Sequence, residues 1–198
     1  MLVFMLSKQI HTLVQDRDIK EDLVSQYVIE GLSYISSMVL LPKLHRTTIL
    51  TFTEHTLPLP LDFGRELYHA RGEEEYTIYD SYETYKRYKK EPALLLQQGL
   101  QIITKEPLPL ALECSYYAKP PTEAFTADTS KILPPGFEVN IVTEYALYKV
   151  YKWIEDGDEG LISNTSYHYK QFQVLLNEMD RTIGHTQNRP EPQRVSWP

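Results

Sequence analysis

An α+β fold, a helical bundle carrying an inserted antiparallel β lobe, is predicted by three observations. Apolar residues recur at helical spacing near both ends of the 198-residue chain, the period changes to two from Thr47, and prolines punctuate an apolar block from Thr47 to Pro121 and return in the last residues. With 42% hydrophobic residues the chain can bury the core of one domain, or of two small ones.

The first helix is predicted over Ser7 to Val14, where Ile10, Leu13 and Val14 share helical spacing before Asp16-Arg17-Asp18 interrupts them. The apolar opening, Met1 to Leu6, lacks a basic flank and is too short for a secretory or membrane-spanning segment, so it is expected to pack on the protein or a neighbour. A second helix follows. Asp18 three residues before Glu21 has the capping-box spacing, and Ile19, Leu23, Tyr27, Val28, Leu32 and Ile35 form one broad stripe that ends by Pro42.

From Thr47, Leu50 and Phe52 alternate with threonines as a half-buried strand would. Leu57, Leu59 and Leu61 continue the alternation, but Pro58 and Pro60 have no N–H to give, so this strand belongs at an edge or in a polyproline-like extension. Leu94–Leu96 and Leu100–Ile103 flank Gly99 as the arms of a hairpin, and Leu108, Leu110 and Leu112 start a run ending near Tyr117. Between these strands Tyr76, Tyr79, Tyr82, Tyr85 and Tyr88 repeat every third residue, a step that marks no single face of a helix or a strand. The run Glu73-Glu74-Glu75 beside them disfavours stacking on nucleic acid, and the rings are expected to rest on the β lobe or on a neighbouring subunit.

Pro134-Pro135-Gly136 signals the start of another helix, with Phe137, Ile141, Tyr145, Tyr148 and Val150 to Ile154 as its stripe. A last helix runs from about Leu161 or Ser163 to Ile183, with Tyr169, Phe172, Leu175, Leu176, Met179 and Ile183 inward and Gly184 as its stop. The two should pair antiparallel across Asp156 to Gly160. Residues 1–44 and 122–183 are thus expected to form one helical domain, 45–121 the inserted β lobe and 184–198 an extended tail.

Reaction chemistry finds little support. The six histidines, His11, His45, His55, His69, His168 and His185, are scattered, with no metal-binding spacing among them. The glycines stand singly, without a phosphate-cradling loop or a Gly-x-Ser-x-Gly elbow. Cys114 is the one cysteine and is expected to be a buried small hydrophobe with a raised pKa. No catalytic residue, cofactor or metal is predicted. A hydrolase using an acidic pair from Glu73–Glu75 or Asp156–Glu159, and a host peptide-binding module, are the alternative functions. A net charge of −7 argues against a protein that grips nucleic-acid phosphates, yet an acidic wall lets DNA slide past. The tail is the best binding candidate, because Arg189, Pro190, Pro192, Arg194 and Trp197 suit a peptide that docks by an aromatic anchor and charge-assisted contacts.

The order of these parts resembles the head-to-tail adaptor (connector) proteins of tailed bacteriophages. The resemblance runs from the two-helix start, Ser7 to Val39, through a threonine-rich strand into Leu57-Pro58-Leu59-Pro60-Leu61-Asp62-Phe63, where that family often has a Leu-Pro-x-Asp-Phe phrase. It continues with the hairpin around Gly99, Pro107-Leu108-Pro109-Leu110 before a strand ending in Tyr116-Tyr117, and Ile132-Leu133-Pro134 ahead of the paired helices. It implies a non-enzymatic virion protein made in the host cytoplasm and placed in the neck between capsid and tail. Such a protein assembles as a ring of roughly twelve copies, binds the portal above and a tail or nozzle protein below, and continues the channel for double-stranded DNA without specific binding or membrane contact. The C-terminal segment would then dock on the portal, and the tyrosine series would meet a neighbouring subunit or the tail.

Overall fold

A computed structural model describes residues 1–16, 18–87, 92–97, 101–155 and 163–184. The chain divides into two compact units, Met1–Lys43 with Pro121–Pro198, and Leu44–Pro120.

The first unit is helical. Helix α1 spans Val3–Val14 and α2 Glu21–Met38. The start of α1 lies four residues ahead of the expected Ser7, because Val3 and Leu6 belong to the core and the apolar opening is drawn into the helix. Buried Ser7 returns its hydroxyl to the Val3 carbonyl at 2.9 Å. The capping box does not form. Lys20 is the N-cap of α2 and gives no side-chain hydrogen bond, while the Asp18 N–H donates to Asp16 Oδ1 at 2.8 Å. Glu21 and Asp22 still place negative charge in the first turn of α2, where the helix dipole favours it. The buried stripe of α2 is Val24, Val28, Gly31, Leu32 and Ile35, so Leu23 and Tyr27 sit at its half-buried margin.

Helix α4 runs from Asn140 to Glu155 and α5 from Ser163 to Gly184; α3, Tyr82–Arg87, belongs to the other unit. The start of α4 falls after the proline signal, because Gly136 takes φ +90° and Pro134–Phe137 closes as a turn, the Phe137 N–H donating to the Pro134 carbonyl at 3.2 Å. The ring contacts Tyr145–Phe172, Tyr148–Tyr169 and Tyr151–His168, with Glu155 bound to the Asn164 and Thr165 N–H groups, show that α4 and α5 run antiparallel. Phe172, Leu176, Met179 and Ile183 are the buried residues of α5, whereas Tyr169 is exposed and Leu175 half-buried. The loop expected at Asp156 to Gly160 lies outside the described residues.

Within this unit Tyr145 meets Tyr34 and Phe172, and its hydroxyl donates to Glu30 Oε1 at 2.9 Å. Burial, reinforced by that carboxylate, raises the Tyr145 pKa. Lys149 reaches the same oxygen at 2.6 Å and so ties α4 to α2. Gly31 makes this approach possible, since a Cβ there would stand 2.8 Å from Tyr145 Cδ1.

Asp128 Oδ1 binds the Met1 ammonium at 2.7 Å and caps a 3-10 turn, Thr129–Lys131, accepting from the Ser130 N–H at 3.0 Å. The hydrogen bond from the ammonium, then that from the Ser130 hydroxyl, lowers the Asp128 pKa to about 2. A depressed carboxylate contributes stability that is present above its unfolded value, about 3.9, and is lost as pH falls toward the folded one. Urea unfolding from pH 5 to pH 2 is therefore expected to show an advantage over Asp128→Asn that shrinks across that window; a constant gap would contradict it.

The second unit is the β lobe. Its strands are β1 His45–Phe52, β2 Thr56–Pro58, β3 Phe63–Arg71, β4 Thr77–Tyr79, β5 Ala93–Gln97, β6 Gln101–Thr104 and β7 Leu110–Ala118, with α3, Tyr82–Arg87, between β4 and β5. One sheet has the order β1-β7-β3 and the other β2-β6-β5-β4. Pro58 does lie on an edge strand. Leu61 is fully exposed, so the alternation stops at the turn in which the Phe63 N–H donates to the Pro60 carbonyl. The pairing β5–β6 is antiparallel, as the expected hairpin requires, although its turn at residues 98–100 lies outside the described residues. Among the described residues the one parallel pairing is β4–β5, with α3 lying between the two strands in sequence. Phe52, Leu112 and Cys114 from one sheet join Leu94 and Ile102 from the other in a single core. The Cys114 thiol, fully buried, is pushed up to about 12 by that burial.

Candidate functional site

Three residues from the motifs that carry the family resemblance, Asp62, Phe63 and Tyr116, meet in the β lobe. The Tyr116 hydroxyl donates to Asp62 Oδ1 at 2.7 Å, the Phe63 and Tyr116 rings lie 5.5 Å apart, and the Lys119 N–H donates to the Asp62 carbonyl at 2.7 Å. Burial and the Asp62 carboxylate push the Tyr116 hydroxyl up to about 12, so it remains a donor. The Leu-Pro-rich phrase is thus a structural latch that fastens the entry of β3 onto the end of β7.

The tyrosine series divides by environment. Tyr85 is buried with Ala93 and Leu95, its ring under the Lys105 ammonium at 4.5 Å, and Tyr79 packs beside it. Tyr76 rests half-buried on the larger core, and Tyr82 is 58% exposed. Tyr88 lies outside the described residues, as do Arg189, Pro190, Pro192, Arg194 and Trp197.

A groove of about 870 Å³ runs across the face of the β1-β7-β3 sheet. Glu73, Glu74, Glu106 and Glu113 line it with Arg71, over apolar surface from Ile49 and Leu110. Sequence reasoning noticed Glu73 and Glu74 but missed Glu106, Glu113 and Ile49, which come together only through strand pairing: Ile49 stands opposite Glu113, and Glu113 opposite Arg71. On the helical unit, Met5, Leu13 and Phe125 are exposed, as are Trp153, Tyr167 and Val174. Among the described residues no group of three His, Cys, Asp or Glu could hold a metal ion, and no helix is long and apolar enough to cross a membrane.

Both units carry exposed aromatic side chains, Tyr82 on the β lobe and Phe125, Trp153 and Tyr167 on the helical unit. A family model described as SU10 adaptor protein matches residues 6–196, and the chain belongs to that family. It is therefore a bacteriophage adaptor with a structural role in the virion, of the class that joins head to tail and meets portal and tail proteins at the neck. No curated protein matches the chain.

Proposed function

We propose that copies of this chain form a ring, of roughly twelve members, that seats beneath the portal, receives the tail below and continues the DNA channel. The observation that supports this most is the reach of the family match, which runs to residue 196 and so takes in both units and nearly all of the C-terminal segment. In this reading the helical unit builds the wall and the β lobe makes lateral or tail-side contacts. Residues 185–198 dock on the portal through Trp197, with Arg189 and Arg194 for charge-assisted bonds and Pro190 and Pro192 limiting the ordering cost. The net charge of −7 suits a channel through which DNA moves without sticking. Among the described members of the tyrosine series, exposed Tyr82 is the best placed to touch a neighbour, while Tyr85 serves the lobe's own packing.

Deleting residues 185–198 is expected to weaken binding to purified portal by at least tenfold and to leave the circular dichroism spectrum and unfolding transition unchanged. Undiminished portal binding would remove the docking role from the tail. A chain that neither associates with portal nor forms rings upon it would sink the ring reading.

A further inference from the structure

We infer that the outer face of α1 on one copy packs antiparallel against the outer face of α5 on the next, a contact between two different faces that joins neighbours in the ring. A surface helix ordinarily turns a polar face to water. On α1, where Val3, Leu6 and Ile10 are buried, the opposite side presents Met5 and Leu13, exposed by 49% and 67%. On α5, where Phe172, Leu176 and Met179 are buried, it presents Tyr167 and Val174, exposed by 56% and 58%. Exposed apolar side chains gathered on one helix face mark a contact surface. In the helical unit α1 packs on α2, α2 on α4 and α4 on α5, so the two faces belong to the first and last helices of the series.

Charges on the two faces match in sign and spacing when the helices run in opposite directions. Helix α1 contains no acidic residue and carries exposed Lys8 between Met5 and Leu13, with Asp16 just past its end. Helix α5 carries exposed Lys170 and Glu178 on either side of Val174. Among the described residues, Lys8, Lys170 and Glu178 have no ion partner in their own chain. Eight residues separate Lys8 from Asp16 and eight separate Lys170 from Glu178, so setting Lys8 against Glu178 brings Leu13 near Val174 and Asp16 near Lys170. Parallel helices with the same Lys8–Glu178 pair would set Leu13 beside Ile183, which is buried in its own unit.

The fold supplies the direction. His11 Nε2 lies 2.8 Å from the Ile19 carbonyl oxygen while Phe4 shares a cleft with Gln26 and Ile29, so α1 and α2 are antiparallel. Tyr145 stacks on Tyr34 and the Lys149 ammonium lies over Tyr27, so α2 and α4 are antiparallel, as α4 and α5 are. Three reversals leave α1 and α5 running opposite ways within a copy. Neighbours in a ring of about twelve differ by a turn of only about 30°, so the α5 of the next copy still runs against α1. Because the two faces differ, each contact leaves one of each kind free, and association continues until the ring closes. The contact presupposes the ring proposed above.

The test mixes two full chains, Leu13→Cys and Val174→Cys, with purified portal under mild oxidation. Both replaced side chains are exposed and the native Cys114 is fully buried, so the unfolding transitions should stay unaltered. A disulfide between positions 13 and 174 is expected, and because the two cysteines stand on separate chains it can only join two copies. Lys8→Glu in the first chain should lower its yield roughly two- to fivefold, and Glu178→Lys in the second should restore it. Rings on the portal without that disulfide, 13–13 or 174–174 links as abundant as 13–174, or a charge exchange that restores nothing would each overturn this interface and leave the ring standing. A chain that forms no ring on the portal would remove both.

Discussion

Replacing Phe172 by alanine is expected to lower the stability of the helical unit by about 3–5 kcal/mol, the range for removing a fully buried aromatic ring. Phe172 is 1% exposed, with its ring 5.1 Å from that of Tyr145 and 5.8 Å from that of Tyr34. It thus joins α5 to both α4 and α2. The surroundings cannot collapse onto the vacated space easily, because Tyr145 is held by its hydrogen bond to Glu30 and Glu30 in turn by Lys149. Val174 supplies the control: it lies on the same helix and is 58% exposed, so Val174→Ala should change stability by less than about 0.5 kcal/mol. Denaturant unfolding of the two variants side by side measures the difference. Equal effects would mean that α5 does not pack on the inner helices through Phe172.

Much of this architecture can be read from residue order, because the signals that succeeded are local. Pro58 confines β2 to an edge whatever lies around it, and the 3.6-residue spacing of Phe172, Leu176, Met179 and Ile183 fixes the inward face of α5. Expectations failed where the outcome depends on distant chain. Strand β3 lacks a clean period-two pattern, because its pairing with β7 passes through register shifts around Glu66, at φ 50°. The Asp18 carboxylate has the right spacing for a cap, yet the backbone places the N-cap at Lys20. The tyrosines repeat evenly in sequence, but Tyr85 becomes buried because β5 brings Ala93 and Leu95 against it. The candidate surfaces follow the same division. The docking role proposed for residues 185–198 is read from composition alone, whereas the acidic groove exists only after β1, β7 and β3 have aligned Ile49, Glu113 and Arg71.

Gly64→Ala is expected to destabilise the β lobe by about 1–3 kcal/mol, although the residue is exposed and a glycine-to-alanine change ordinarily favours folding. The favourable part is the reduced freedom of the unfolded chain, about 0.4–1 kcal/mol. Against it stands the position of the added carbon: an alanine Cβ would lie 2.9 Å from both the Ala118 carbonyl carbon and the Tyr117 carbonyl oxygen, and 3.0 Å from the Lys119 nitrogen. All three are backbone atoms, so no side chain can rotate away. Relief requires β3 to part from β7 where Phe63 faces Ala118, and that motion would stretch the Lys119 N–H bond to the Asp62 carbonyl and the Tyr116–Asp62 bond beside it. The steric cost should therefore exceed the entropic gain. Urea unfolding of the variant, with amide exchange read at residues 115–119, provides the measurement. A lower midpoint with faster exchange there is the expected result, and a variant as stable as the parent would show that the latch at Asp62 does not hold β3 this close to β7.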